Sequence, residues 1–269
     1  MGLAHPAYGQ LRPVTPSAAV LLANNPSSMT LEGTNTWVLR APGRSDCVIV
    51  DPGPADRGHT RLLTEVGPIA MTLITHHHPD HVGALKRFVP LTGSPVRSVD
   101  PRFLNRSMHP LRDGEVIEAA GLRIRVLATP GHTTDSVSFV VDDDEGHKAL
   151  LTGDTLLGRG TTVLGGYDGA LSDYLAALDR LVEAGAGRVM LPAHGPELPD
   201  AGEVARQYRT HRRERLDQVR AALRALGKTP AEAKPLQVVR HVYKDVDKRL
   251  WPAARVSVKA QLAYLQDEA

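Results

Sequence analysis

The stretch Thr75-His76-His77-His78-Pro79-Asp80-His81-Val82-Gly83 constrains this chain more than any other. It follows an apolar run, residues 69–74, that reads as a strand. It opens a segment, residues 82–88, in which Val82, Leu85 and Phe88 recur at helical spacing. Histidine and carboxylate are the ligands that Zn²⁺ takes when thiolate is absent. The spacing H-x-H-x-D-H sets four such donors on one tight loop at a strand's C-terminal end. A merely solvated turn would not concentrate so many ligand-type side chains between a strand and a helix.

Four other polar turns repeat this placement. Asp51 follows the strand-like residues 47–50, His132 follows 122–128, Asp154 follows 148–152 and His194 follows 188–191. Strand ends that gather on one rim are how an α/β protein assembles a site from distant residues. Hairpins are expected at residues 42–45 and at Gly121, and a strand at 18–24. Ser172 is placed to N-cap a helix running to about Ala184.

The chain has 269 residues, 42% of them hydrophobic, which allows a large core and argues against disorder. Cys47 is the single cysteine, so disulfides and cysteine-rich zinc sites are excluded, and its apolar strand predicts a small buried residue. Residues 1–14 lack a basic segment followed by an apolar one, and the run 18–23 is too short for a membrane span, so a cytoplasmic protein without membrane contact is expected. Net charge is only +2, but residues 1–200 carry −5 and residues 201–269 carry +7. Such asymmetry predicts either a polyanionic partner or a solvated helical surface.

The texture changes after Pro199. Asp200 and Glu203 stand in capping-box positions for a helix reaching Leu226, with an outer face of Arg206, Arg209, Arg212, Arg213, Arg215, Arg220 and Arg224. Thr229-Pro230-Ala231-Glu232 reads as a second helix start, and residues 236–243 and 253–265 as two further helices. The division expected is a catalytic domain, 1–200, and a helical, winged-helix-like module, 201–269.

In order and spacing, Asp51, His76-x-His78-x-Asp80-His81, His132, Asp154 and His194 resemble the five motifs of the metallo-β-lactamase superfamily. That resemblance implies an α/β (α+β) protein, a four-layer αββα sandwich with the C-terminal appendage. It also implies a ligand set: His76, His78 and His132 on one zinc, Asp80, His81 and His194 on a second, and Asp154 bridging. Asp51 would orient a ligand-bearing loop through hydrogen bonds. Two Zn²⁺ per chain are expected, with Mn²⁺ or Fe²⁺ as alternatives. The β-lactamases of this kind commonly lack an acid at the position of Asp154, and flavo-diiron proteins replace the second histidine by glutamate. Nucleases with a large inserted cap need more than the 40 residues between Asp154 and His194.

Residues 25–36, Asp51-Pro52-Gly53, Thr129-Pro130-Gly131-His132-Thr133 and Gly153-Asp154-Thr155 through Thr162 are similar to the β-lactamase-like protein 2 family. Its characterised eukaryotic member is a single-strand endoribonuclease. The resemblance therefore implies a hydrolase that uses a metal-bridged hydroxide on single-stranded RNA, with Asp80 orienting the nucleophile. The competing expectation is a glyoxalase II-like enzyme acting on a small-molecule thioester, the basic module gripping an anionic thiol carrier. Thr161, Thr162 and Tyr167 lie on the loop after Asp154, where lining the cleft and packing are equally expected. His77 would point away from the metals, and His5, His59, His109, His147, His211 and His241 have no partner spacing. Trp37 is expected in the core, and Trp251 at the docking surface of the appendage. The oligomeric state is not legible.

Overall fold

Strands that are apolar on both faces need cover on both sides, and most strands here are of that kind. The computed structural model describes residues 8–105, 108–164, 170–245 and 247–268. One sheet has the order β1 (Leu11–Thr15), β2 (Ala18–Leu22), β3 (Asn35–Leu39), β4 (Cys47–Val50), β5 (Ile69–Leu73), β6 (Val96–Arg97). It is antiparallel from β1 to β4 and parallel from β4 to β6. The other comprises β7 (Val116–Ala119), β8 (Leu122–Ala128), β9 (Val137–Asp143), β10 (Lys148–Gly153) and β11 (Val189–Pro192). It is antiparallel except for the parallel pair of β10 and β11.

Alternation within each strand sorts its side chains between layers. Val48 and Val50 of β4 face the other sheet, while Cys47 and Ile49 face outward. In β9, Phe139 and Val141 face inward and Val140 outward. The inner faces make one core, with Trp37, Leu39, Ile124, Phe139 and Leu151 among its buried members. Leu63 of α1 (Arg57–Thr64) and Phe88 of α3 (Leu85–Thr92) cover the first sheet's outer face. Leu178 and Leu181 of α4 (Leu171–Ala184) and Tyr208 of α5 (Ala201–Leu226) cover the second's. The expected αββα sandwich is therefore present. Cys47 is fully buried, and burial pushes its thiol up to about 11, as an inert apolar residue requires.

The apolar cluster under α5 continues without a break into α6 (Pro235–Val242) and α7 (Trp251–Asp267), through Val219, Val238, Val258 and Leu262, with Trp251 packed against it. No strand follows residue 200 among the described residues, so the appendage is helical.

Several local expectations need correction. The segment 82–88 is two helices, α2 (Pro79–Val82) and α3, broken at Gly83-Ala84. Ala170 and not Ser172 is the N-cap of α4, because the Tyr174 N–H already donates to the Ala170 carbonyl. Asp200 does cap α5 by accepting from the Glu203 N–H at 2.8 Å, but the Glu203 carboxylate accepts from Arg206 and Gln207. Thr229 and Glu232 make their mutual contact and close a single turn, yet the helix starts only at Pro235. Arg212 does not belong to the outer face; it is buried.

His59 is one histidine without partner spacing that the fold buries. It sits between α1 and β3, with Nε2 2.8 Å from the Thr36 hydroxyl, and burial lowers its pKa to about 4. A folded pKa below the unfolded value near 6.5 stabilises the fold above that pH, and the contribution is lost as pH falls toward 4. The contribution is about 3 kcal/mol for a shift of this size. Denaturant titrations from pH 7 to 4 should therefore fall more steeply for the wild type than for His59→Gln. Parallel curves would show that His59 carries no such linkage.

Candidate metal centre

Each loop of interest leaves a strand at the same rim of the sandwich. The residues after β5 bring His76, His78, Asp80 and His81, and those after β8, β10 and β11 bring His132, Asp154 and His194. The first sheet thus provides four of the seven donors and the second sheet three.

The seven converge as two groups. His76, His78, His132 and Asp154 place one ligand atom each within 4.8 Å of one another, and so do Asp80, His81 and His194. In the first group His78 Nδ1 lies 3.0 Å from His76 Nε2 and 3.1 Å from His132 Nε2. Asp154 Oδ2 is 3.5 Å from His132 Nε2 and 3.9 Å from His76 Nε2. In the second, Asp80 Oδ2 is 3.2 Å from His194 Nε2 and 3.4 Å from His81 Nε2. Asp154 turns its other oxygen, Oδ1, to this group, at 3.3 Å from His194 Nε2 and 3.6 Å from His81 Nε2. One carboxylate therefore faces both clusters.

The donors are held by their far sides. Asp51, with φ of 53°, accepts from the Thr75 N–H at 2.8 Å, the Thr75 hydroxyl at 2.6 Å and His81 Nδ1–H at 2.8 Å. His76 Nδ1 reaches the same Thr75 hydroxyl at 3.1 Å. His194 Nδ1–H donates to the Gly33 carbonyl at 3.1 Å. Each contact fixes a tautomer whose Nε2 lone pair points into the rim. Gly33 has φ of 141°, and a Cβ there would lie 2.0 Å from the Ala23 carbonyl oxygen. Across the seam, Asn35 Nδ2 donates to the Pro192 and Gly195 carbonyls at 3.0 and 2.8 Å, and Trp37 Nε1 to Pro192 at 3.0 Å. The His194 loop is thereby tied to the first sheet.

The electrostatics suit a cation. Burial, with the neighbouring histidines, lowers the pKa of His76 and His78, and burial likewise lowers that of His132. Burial opposes charge on His194 too, but Asp154 and Asp80 raise it to about 9, and Asp51 and Asp154 raise His81. Asp80 and Asp154 are held well below the usual carboxylate range, chiefly by His194 and His81, against the opposing effect of burial. The carboxylates thus favour positive charge on this rim, which a divalent ion can supply in place of a proton. His81 Nε2 and Asp154 Oδ1 are buried without a hydrogen-bond partner among the described residues. Buried polar atoms left in that state, in a shell of imidazoles and carboxylates, fit a metal ion.

His77 points away, as expected, with Nδ1 2.7 Å from Asp135 Oδ1, which also accepts from the Thr133 hydroxyl. Thr162 is 3% exposed and donates to the Asp154 carbonyl, so it braces the loop and does not line the cleft. Thr161 is exposed. Tyr167 and His5 lie outside the described residues. Sequence reasoning gave no role to Thr75, Gly33 and Asn35, which hold the ligand loops, and left Thr162 between lining the cleft and packing. Their only signal was position, each lying within a few residues of a ligand or at the rim.

The arginines of α5 are largely spoken for. Arg209 pairs with Asp179, Arg220 with Asp217 and Glu268, and Arg206 with Glu203. Arg215 donates to Gln218 and stacks over Tyr243. Of these partners only Asp179 of α4 offsets the +7, since Glu203, Asp217 and Glu268 are already counted in that net charge, but the pairs tie up the three guanidinium groups locally. Among the described residues, no helix is long and apolar enough to cross a membrane.

Residues 29–194 match the family model of the metallo-beta-lactamase superfamily, and residues 235–269 match that of the beta-lactamase associated winged helix domain. The beta-lactamase-like protein 2 homolog of Drosophila melanogaster is 32% identical over 95% of this chain and 89% of its own length. An atrochrysone carboxyl ACP thioesterase of a Cryptosporiopsis species is 29% identical over 88% of this chain and 75% of its own length. A metallo-beta-lactamase family protein from Thermus thermophilus shares the fold, with a TM-score of 0.74, 24% identity and 95% of each chain covered.

Proposed function

The chain belongs to the metallo-beta-lactamase superfamily and is a metal-dependent hydrolase, and from that premise we propose that it cleaves acyl thioesters. The observation that carries the reading is the internal pairing of Arg206, Arg209 and Arg220 and the burial of Arg212, which weaken the case for a phosphate-tracking groove. The similarity to a thioesterase supports the same substrate class. Two ions are proposed, the first held by His76, His78 and His132, the second by Asp80, His81 and His194, with Asp154 between them. Zn²⁺ suits this donor set, and Mn²⁺ or Fe²⁺ are the alternatives.

Bound metal supplies an activated water and a Lewis acid for the acyl carbonyl. The chain's own part is to hold the donors in their tautomers and to keep Asp80 ionised. The Thr34 hydroxyl donates to Asp80 Oδ2 at 3.4 Å, which fixes that carboxylate beside both histidines of its group. Asp80 is then placed to accept a hydrogen bond from the attacking water. The water oxygen adds to the acyl carbon, the C–S bond then breaks, and the sulfur leaves as a thiol with one proton of that water while the other passes to solvent as the carboxylate forms. We further propose the division at Pro199, with residues 1–200 carrying the chemistry and 201–269 setting what approaches it.

Cleavage of single-stranded RNA is the second reading, favoured by the +7 after residue 200. One assay separates the two. Metal-loaded protein and His76→Ala are offered acyl thioesters of coenzyme A and of small thiols, and in parallel a single-stranded RNA. Thioester turnover that is lost in the variant, with intact RNA, is the expected outcome. RNA cleavage lost in the variant, with intact thioesters, would replace the first reading by the second.

A further inference from the structure

A guanidinium that is 5% exposed and has no carboxylate partner among the described residues is costly, so its placement calls for a reason. Arg212 is that group. It lies on α5, one turn beyond Tyr208, on the stripe that faces the loop between β10 and α4. Its Nη2 donates to the Thr162 carbonyl, and its Cζ sits 5.2 Å from the centre of the Tyr174 ring. Thr162 in turn donates its hydroxyl to the Asp154 carbonyl at 2.7 Å, closing the loop that starts at the shared carboxylate. Two neighbours grip the same loop. The Tyr174 hydroxyl donates to the Thr155 carbonyl at 2.7 Å, and the Tyr208 oxygen accepts the Leu157 N–H at 3.1 Å. Only two hydrogen bonds separate Arg212 from the backbone of Asp154.

We infer that Arg212 is a positioning residue through which the C-terminal segment sets the Asp154 loop, and with it the occupancy of the metal centre. This rests on the metal-site reading above. The charge is what makes the arm selective. A planar guanidinium keeps a fixed reach to a carbonyl while its face lies on an aromatic ring, whereas a lysine offers a point charge on a flexible stem. An apolar side chain of similar length would fill the space and leave the Thr162 carbonyl unpaired in the interior.

Arg212→Met, Arg212→Lys and Thr162→Val test this, with metal affinity read by competition against a chelator and site geometry by the visible spectrum of Co²⁺-loaded protein. Far-UV circular dichroism identifies which variants keep the fold. Arg212→Met is expected to lose Co²⁺ and Zn²⁺ affinity by about ten-fold or more, the range for groups that orient a ligand, and to shift the Co²⁺ spectrum. Arg212→Lys should recover part of both. Thr162→Val leaves the arginine and its carbonyl contact in place and cuts the second link, so it should reproduce the spectral shift even if Arg212→Met does not fold. A folded Thr162→Val with wild-type affinity and spectrum would overturn the inference. Wild type that binds no Co²⁺ or Zn²⁺ would instead overturn the metal-site reading itself.

Discussion

Asp154→Asn is expected to reduce hydrolysis on the order of a thousandfold and to lower bound metal to one ion per chain or fewer. The side chain keeps its shape but loses the negative charge that faces both donor groups, at 3.5 Å from His132 and 3.3 Å from His194. Without it, five buried or half-buried imidazoles are left with Asp80 as the one remaining carboxylate of the set. A loss of about 4 kcal/mol in charge stabilisation corresponds to roughly three decades in rate. His81 and His194 should also titrate closer to ordinary histidine, since Asp154 is a principal cause of their raised values. Elemental analysis of the purified variant, alongside turnover of whichever substrate the wild type accepts, provides the check. Two retained ions and a rate within tenfold of wild type would remove Asp154 from its bridging role.

Gly131→Ala is expected to be strongly destabilising. Gly131 has φ of 131°, and a Cβ would lie 2.4 Å from Tyr174 Cα and 2.5 Å from Tyr174 N, the backbone of the first turn of α4. Neither partner is the flexible end of a side chain, so the loop carrying His132 or the helix must move. The combined strain and displacement should cost about 4 kcal/mol, and metal affinity should fall with it because His132 shifts. Gly146→Ala is the matched control. Its φ of 86° is also positive, but nothing lies within 4 Å of the added carbon, so about 1 kcal/mol is expected. Thermal and denaturant unfolding of the pair should separate them clearly. Equal losses would mean that the contact with Tyr174 relaxes and that only backbone conformation matters at Gly131.

The seven donors were legible because each stands just after an apolar run, where a strand must end, and because imidazole and carboxylate are rarely clustered without a task. The layers were legible only through the family resemblance, and the structure supplies their physical reason: Val48-Ile49-Val50 and Phe139-Val140-Val141 are apolar at every position and demand cover on both faces. What escaped depended on tertiary partners. β1 carries Pro13 in the middle of its five residues and shows little apolar character, and it survives as a strand because it pairs on one side only. Ser172 looks like a cap, yet the helix begins earlier because Leu171 is drawn into the core. Arg212 was assigned to a solvated face by its charge alone. Its spacing said otherwise, since Tyr208, Arg212, Leu216, Val219 and Leu223 form one buried stripe. Periodicity was the better guide there than residue type.

The seam between the sheets carries a further consequence. His76 to His81 belong to one sheet and His132, Asp154 and His194 to the other. Each ion of the proposed pair would be a rivet through two plates that are otherwise joined by apolar packing, by hydrogen bonds such as those of Asn35 and Trp37, and by the ion pairs of Arg12 with Glu197 and Arg97 with Glu115. The first would tie residue 76 to residue 132 and the second residue 81 to residue 194, as crosslinks do, and only once both plates are in place. Metal at a thousandfold excess over its dissociation constant adds about 4 kcal/mol to such a native state. The supply of metal in the cell would then govern how long the folded chain persists, as well as how fast it turns over.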